Sequence, residues 1–245
     1  MKMTRISVCM ATRNGARFIH RQLASILMQL GPLDEVVISD DSSTDGTVDI
    51  VKSFGDRRIR LYENNTFFSP VFNFENCLKK ATGKIIVLSD QDDVWLENRM
   101  AVIEEAFKDG QNPIHLIVTD GYVVDENENV IEDSIFKKLG AGKGILKNIY
   151  DNTYPGCCLA FSRELLQVAL PFPKGIPMHD MWLGILGEMF GRVDFVAEKT
   201  IKYRKHPGSM TDFHRRFIPM TQISRRLLLS YNLVRRWIKV KCSGM

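Results

Sequence analysis

Four short apolar runs constrain this chain more than any other feature. They are Ile6–Ala11, Glu35–Ser39, Ile59–Tyr62 and Lys84–Ser89. None alternates apolar with polar residues, so each predicts a strand buried on both faces. Such strands require a mostly parallel sheet with helices packed above and below it. The segments between them carry helical periodicity. Arg17 to Gln29 places Phe18, Leu23, Ile26 and Leu27 at helical spacing, followed by Leu30. Val48, Ile50 and Val51 follow a loop in which Ser43 or Thr44 is a candidate N-cap. Phe72 to Ala81 ends near Gly83, a candidate C′ residue. The order is β-α-β-α-β-α-β, an α/β fold with a mostly parallel central sheet flanked by helices.

The second half is less regular. Ile114 to Thr119 reads as a strand, and Tyr122–Val124 and Val130–Ile131 as a hairpin around Asp125–Asn129. Tyr154–Phe161, Val193–Val196 and Thr200–Tyr203 read as strands, Arg163–Ala169 and Asp180–Phe190 as helices. There is no internal repeat and no low-complexity linker. The expected organisation is one domain over residues 1–211, divided at 113/114, and a tail over 212–245.

Composition narrows the class. With 44% apolar and 25% charged residues, the chain is neither disordered nor a polytopic membrane protein. No apolar stretch approaches the ~20 residues that a spanning helix needs. The N-terminus lacks the apolar core of a signal peptide. Cysteines at 9, 77, 157, 158 and 242 are odd in number and form no CxxC pair, so reduced thiols and a cytoplasmic location are expected.

The net charge of +4 is unevenly distributed. From Asp212 onward there are eight Lys/Arg and one acid, which leaves the rest of the chain slightly acidic. Within that tail Ile223, Leu227, Tyr231, Val234 and Ile238 recur at helical spacing, with Trp237 at the edge. Arg225, Arg226, Arg235, Arg236 and Lys239 fall on the other half of the wheel. This pattern suits an amphipathic helix lying on an anionic membrane, where each cation contributes about 1 kcal/mol. A helix packed on the domain or on another subunit is the competing reading. Nucleic-acid binding finds no recognisable motif in the tail. The sequence does not set the oligomeric state.

Polar residues cluster where the strands end. Thr12-Arg13-Asn14 follows the first strand, Asp40-Asp41 the second, and Asp90-Gln91-Asp92-Asp93 the fourth. In open α/β sheets this edge is where ligands bind. Three carboxylates in four residues repel one another unless a cation or several donors lie between them. Oxygen ligands of this type suit Mg²⁺ or Mn²⁺, and a bound ion can hold a diphosphate. A solvated acidic loop, with Asp93 capping the next helix, is the plainer alternative. Neither GxxxxGK[ST] nor GxGxxG is present, so no glycine cradle holds a phosphate.

The strings SVCMATRNG, EVVISDDSSTDGT, TGKIIVLSDQDDVW, MHDMWLG and YRKHPGS occur in this order. Together they resemble family 2 glycosyltransferases of the GT-A fold, in particular the bacterial rhamnosyltransferase-like group of O-antigen, capsule and other surface-polysaccharide synthesis. The resemblance implies a donor-binding first half and an acceptor-side second half. It implies that Thr12 and Asp41 contact the base of a nucleotide-sugar donor, with Asp40 beside them. Arg13, Asn14 and Gln91 fall in the same donor segments. Asp90 and Asp92 match the family's Asp-x-Asp motif, with Asp92 as metal ligand. His206 matches a late His that completes the metal site or meets the diphosphate. Asp180 matches the catalytic base. Two positions depart from the pattern: Arg13 stands where an aromatic residue is common, and His179 where many relatives have Glu.

The implied chemistry is inverting sugar transfer from a nucleotide sugar, dTDP-rhamnose or a UDP-hexose, to a hydroxyl of a saccharide or a polyprenyl-linked saccharide. Its implied location is cytoplasmic, on the inner face of the membrane. A helix dipole at Asp180 lowers its pKa and neighbouring carboxylates raise it, so the sequence leaves the sign open. Trp95 and Trp182 are candidates for stacking on a sugar face or for core packing. A non-catalytic nucleotide-sugar binder and a nucleotidyltransferase are the competing classes.

Overall fold

The structure is a computed structural model that describes residues 5–207 and 220–242. Its first half follows the expected alternation: β1 (Ile6–Thr12), α1 (Ile19–Leu27), β2 (Glu35–Asp40), α2 (Thr47–Ser53), β3 (Ile59–Tyr62), α3 (Pro70–Lys80) and β4 (Ile85–Ser89). β1 pairs in parallel with both β2 and β4, and β2 with β3. β2 and β4 are buried along their whole length, while β3 at the sheet edge is half-buried. Apolar runs thus mark the central strands, because helices cover both of their faces.

The second half contributes β5 (Val94–Trp95), α4 (Arg99–Ala106), β6 (His115–Val124), β7 (Val130–Glu132), α5 (Ile135–Leu139), α6 (Ile145–Tyr150), β8 (Leu159–Ser162), α7 (Leu165–Ala169), α8 (His179–Phe190) and β9 (Arg192–Arg204). All strands join one sheet, ordered β3-β2-β1-β4-β8-β6-β9-β5, with β7 beside β6. Beyond β4 the sheet is mixed: β8 is antiparallel to both β4 and β6, whereas β9 runs parallel to β6. The two short strands expected near residues 193 and 200 are one strand, irregular where Asp120 of β6 shifts register. Tyr154 to Cys158 is not strand; it runs through a 3₁₀ turn at Gly156–Cys158 before β8 begins.

Two expected caps have other tasks. Gly83 does not end α3 in the left-handed region. A Cβ there would lie 2.5 Å from the Ser7 backbone nitrogen, so glycine is needed where the α3–β4 connection crosses the start of β1. α2 begins later than Ser43 or Thr44, after Gly46 at φ 86°.

The basic tail forms α9 (Met220–Cys242); the expected boundary at 211/212 and the cations Arg215 and Arg216 lie outside the described residues. α9 docks through a face that the sequence reading passed over. Leu229, Leu233 and Val240 are buried, and Arg236 lies on the same side. The Arg236 guanidinium donates to the carbonyls of Val168, Leu170 and Pro171 at the end of α7 and sits 5.3 Å from the Trp182 ring. Carbonyls at a helix C-terminus lack intrahelical donors and attract a cation. Arg236 is therefore a docking residue, not one of a solvated basic face. The stripe Ile223, Leu227, Tyr231, Val234 and Ile238 points outward.

Substituting Gly83→Ala should destabilise the protein by at least ~2 kcal/mol, because the clash is with backbone rather than with a flexible side chain. Urea denaturation checks this; a change within ~0.5 kcal/mol would show that the connection can move aside.

Candidate functional site

The ends of β1, β2 and β4 are tied together by side chains. Thr12 Oγ1 donates to Asp40 Oδ2 at 2.7 Å, and Ser43 donates to Asp40 from both its backbone nitrogen and its hydroxyl. Asn14, at φ 49°, accepts from the Thr44 nitrogen at 2.9 Å and donates its own backbone N–H to Ser43 Oγ. Gln91 grips the Arg13 backbone on both sides: its Oε1 accepts from the nitrogen and its Nε2 donates to the carbonyl, each at 3.0 Å. A Cβ at Gly15 would come within 2.3 Å of Gln91 Oε1, so this grip requires glycine. Asp41 accepts from the backbone nitrogens of Phe67 and Ser69. That contact holds Phe68 at φ 47° with an exposed ring, and the Arg13 guanidinium lies 4.9 Å from the ring centroid.

These loops border a cleft of about 480 Å³ between the two halves of the sheet. Of the sequence-predicted residues, Thr12, Arg13, Asn14, Asp41, Asp90, Gln91, Asp92, His179, Asp180 and His206 line it. Asp40 does not; it is buried beneath, where it holds Thr12 and Ser43. Trp95 and Trp182 are also absent from the lining. Trp182 is fully buried and donates its indole N–H to the Ala169 carbonyl at 3.0 Å. Trp95 is buried in β5 under the Arg99 guanidinium. Both are core residues, so stacking on a sugar is corrected for each: neither ring has an open face in the cleft.

The acids gather as the sequence order suggested. His206 Nε2 lies 2.8 Å from Asp92 Oδ2, joining residues from opposite ends of the domain. Gln22 Nε2 donates to the Asp90 carbonyl, and Arg204 supports the loop from beneath through the Asp92 carbonyl and Asp93 Oδ1. Burial, then the neighbouring charges of Asp93, Asp92 and Asp180, push the Asp90 carboxyl well above the usual range. Burial and Asp92 push Asp93 up to about 8. Asp93 Oδ2 is buried without a hydrogen-bond partner. Among the described residues, one set of potential metal-ligand atoms lies within 4.8 Å of one another, on Asp90, Asp93 and Cys157, and the Asp92–His206 pair is not part of it. The carboxylates of both groups are hard oxygen donors of the kind Mg²⁺ or Mn²⁺ takes.

Asp180 stands in the first turn of α8. Its Oδ1 accepts from the Met181 nitrogen at 2.6 Å and from Asn152 Nδ2 at 2.9 Å. Burial outweighs these hydrogen bonds and raises its pKa to about 6, which settles the sign left open above. Beside it, burial lowers His179 to about 3, so the imidazole is neutral. The ring stacks on Phe74 at 4.0 Å, and both nitrogens are buried without a partner. Gly156 packs against both residues, since a Cβ there would lie 3.3 Å from His179 Nε2 and from Asp180 Oδ2. Asn152, Gly156, Phe68 and Asn73 also line the cleft and were not singled out from sequence. Asn and Gly in a connecting segment read as turn formers, and nothing local announces their proximity to Asp180.

Residues 7–169 match the sequence model of glycosyl transferase family 2. The chain is 29% identical over 216 residues to the Escherichia coli UDP-Glc:alpha-D-GlcNAc-diphosphoundecaprenol beta-1,3-glucosyltransferase WfaP, covering 85% of this chain and 80% of that protein. It is 26% identical over 228 residues to the Shigella flexneri dTDP-rhamnosyl transferase RfbG, covering 82% and 72%. Among solved structures it resembles S. aureus TarS 1-349 in complex with UDP-GlcNAc, with a TM-score of 0.72, 19% identity and coverage of 93% and 66%. It also resembles a Pyrobaculum calidifontis mannosyltransferase in complex with GDP-Man and Mn²⁺, with a TM-score of 0.59, 22% identity and coverage of 81% and 56%. The chain spans about two thirds of the TarS chain or less of these solved proteins. It likewise spans 65% of a Nostoc sp. glycosyltransferase to which it is 26% identical over 82% of its own length.

A mixed sheet with its acids at one edge, in this sequence order, is the GT-A fold. The chain belongs to glycosyl transferase family 2.

The raised pKa of Asp180 has a stability consequence. The folded state binds this proton more tightly than the unfolded chain. The contribution is therefore present at low pH and lost as pH rises through about 6. Asp180→Asn removes a buried charge while its amide oxygen still accepts from Met181 and Asn152. The variant should gain up to ~3 kcal/mol at pH 8 and nothing at pH 4. Urea denaturation at both pH values checks this; equal stability at pH 8 would show that Asp180 is solvated when charged.

Proposed function

We propose that the chain is an inverting, divalent-metal-dependent glycosyltransferase of bacterial surface-polysaccharide synthesis. The observation that carries this reading is the meeting, in one cleft, of the Asp92–His206 pair and the buried carboxylate Asp180. The donor is a nucleotide sugar, with dTDP-rhamnose and UDP-hexoses as the candidates that the names of the relatives suggest. The acceptor is a hydroxyl of a growing saccharide or of a lipid-linked saccharide, the latter being the acceptor class that the name of WfaP describes. That acceptor places the work at the inner face of the cytoplasmic membrane.

The residues divide the task. Thr12 and Asp41 meet the base, with Phe68 and Arg13 at the mouth. Asp90 meets the ribose. Asp92 and His206 would hold Mg²⁺ or Mn²⁺, and the ion would supply Lewis-acid neutralisation of charge on the leaving diphosphate. Asp180 takes the proton of the acceptor hydroxyl as the new bond to sugar C1 forms and the bond to the β-phosphate oxygen breaks. Attack on the face opposite the leaving group inverts the anomeric centre. A pKa near 6 makes Asp180 a stronger base than an exposed carboxylate and still ionised at neutral pH. His179, neutral and unpartnered, offers the acceptor or sugar a hydrogen bond without competing for the proton.

A donor panel read by nucleoside diphosphate release tests the reading, with and without Mn²⁺. Release should require a UDP- or dTDP-sugar and should stop in excess chelator. Asp92→Ala should weaken metal-dependent donor binding. Asp180→Asn should lower kcat by roughly 10³-fold or more while leaving donor binding within a few fold. For the parent enzyme kcat should rise with pH through about 6. Full turnover by Asp180→Asn, or undiminished turnover in chelator, would overturn the assignment.

A further inference from the structure

The outward stripe of α9 is apolar and, among the described residues, uncovered. Leu227 is 67% exposed, Tyr231 and Val234 57%, Ile238 49% and Trp237 46%. The helix from Met220 to Cys242 carries six Lys/Arg and no acid. Arg235 and Lys239 border one edge of the stripe, and Arg226 the other. Arg236 and the buried leucines pin the opposite face, so the stripe has a fixed direction relative to the cleft.

α6 extends this surface. Leu146 and Tyr150, one turn apart, are 82% and 64% exposed, while Asn148 between them is buried. The Arg226 guanidinium lies 5.2 Å from the Tyr150 ring and joins the two helices. Two residues beyond Tyr150, Asn152 donates to the proposed base Asp180.

We propose that α9 and α6 form one platform that binds the surface of an anionic lipid bilayer, and that it sets the cleft at that surface. The charge pattern selects this occupant. An apolar stripe with aromatic residues, bordered by cations and free of acids, matches acyl chains below and lipid phosphates beside them. A second copy of the chain across the same face would bring arginine opposite arginine. A nucleic acid would use the cations and leave the stripe in water. Only the purpose of the platform, delivery of a lipid-linked hydroxyl to Asp180, rests on the proposed function; lipid binding itself does not.

Flotation of the full chain with vesicles tests the proposal. The two compositions are phosphatidylcholine alone, and phosphatidylcholine with a third phosphatidylglycerol. The chain should float with the anionic vesicles and not with the neutral ones, and high salt should weaken binding. Val234→Asp on α9 and Leu146→Asp on α6 should each weaken partitioning by roughly 10-fold or more. Both positions are exposed, so melting curves should match the parent, and transfer to a short soluble acceptor should be unchanged. Failure to float with anionic vesicles, or equal flotation of the parent and both variants, would overturn the proposal. A concentration-dependent dimer abolished by Val234→Asp would assign the face to a second copy and overturn it too. Transfer to the soluble acceptor reads the chemistry alone, so its loss without loss of flotation would count against the proposed function and not against the platform.

Discussion

Crowding carboxylates at one sheet edge is the constraint around which the rest of this molecule is arranged. Half-buried Asp90 is raised by burial and by the charges of Asp93, Asp92 and Asp180, buried Asp93 by burial and Asp92, and buried Asp180 by burial itself. Burying a charge without a partner is expensive, so the surrounding residues offset it where they can. Arg204 reaches across from β9 to the Asp92 carbonyl and Asp93, and also to the Glu126 carbonyl and Glu128. Arg99, fully buried, bonds the Cys157 carbonyl, Thr119 and Thr200, fastening the strand ends behind the acids. What these cations leave uncompensated includes the raised carboxyls of Asp90 and Asp180, which line the cleft.

A second layer of side chains holds the loops in place. Asp40 looks like a ligand contact in the sequence, yet its carboxylate binds protein hydroxyls and backbone, while Asn14 and Gln91 line the cleft and also bond the neighbouring loops. Asp41 faces the cleft while its oxygens hold the loop that presents Phe68. Motif residues of this kind shape the site by fixing loops. That task demands particular residue types as strictly as ligand contact does. Gln91 and Gly15 illustrate the point, since one requires the other.

The regular half was legible because burial on both faces writes itself into consecutive apolar residues, as in β2 and β4. The acids were legible because they follow those strands directly. The acceptor side was harder to read. Tyr154 to Cys158 is apolar enough for a strand, but it turns beneath Asp180. Trp182 and Trp95 suggested sugar stacking, but the core took both rings. The tail misled in a specific way. Leu229, Leu233, Arg236 and Val240 repeat at helical spacing just as the outer stripe does, so two faces competed for the docking role. Arg236 decided it, through carbonyls contributed by a helix end far away in sequence.

By itself the sequence determined the alternation of strands and helices, the edge at which polar groups collect, and the order of the acids. These depend on local periodicity and on strand polarity, which neighbouring residues encode. Only the tertiary structure decided that His206 meets Asp92, that Asn152 and Gly156 frame Asp180, and which face of α9 looks outward. Each of these follows from contacts between segments distant in the chain, where the free energy of burial and pairing is set by the partner and not by the residue alone.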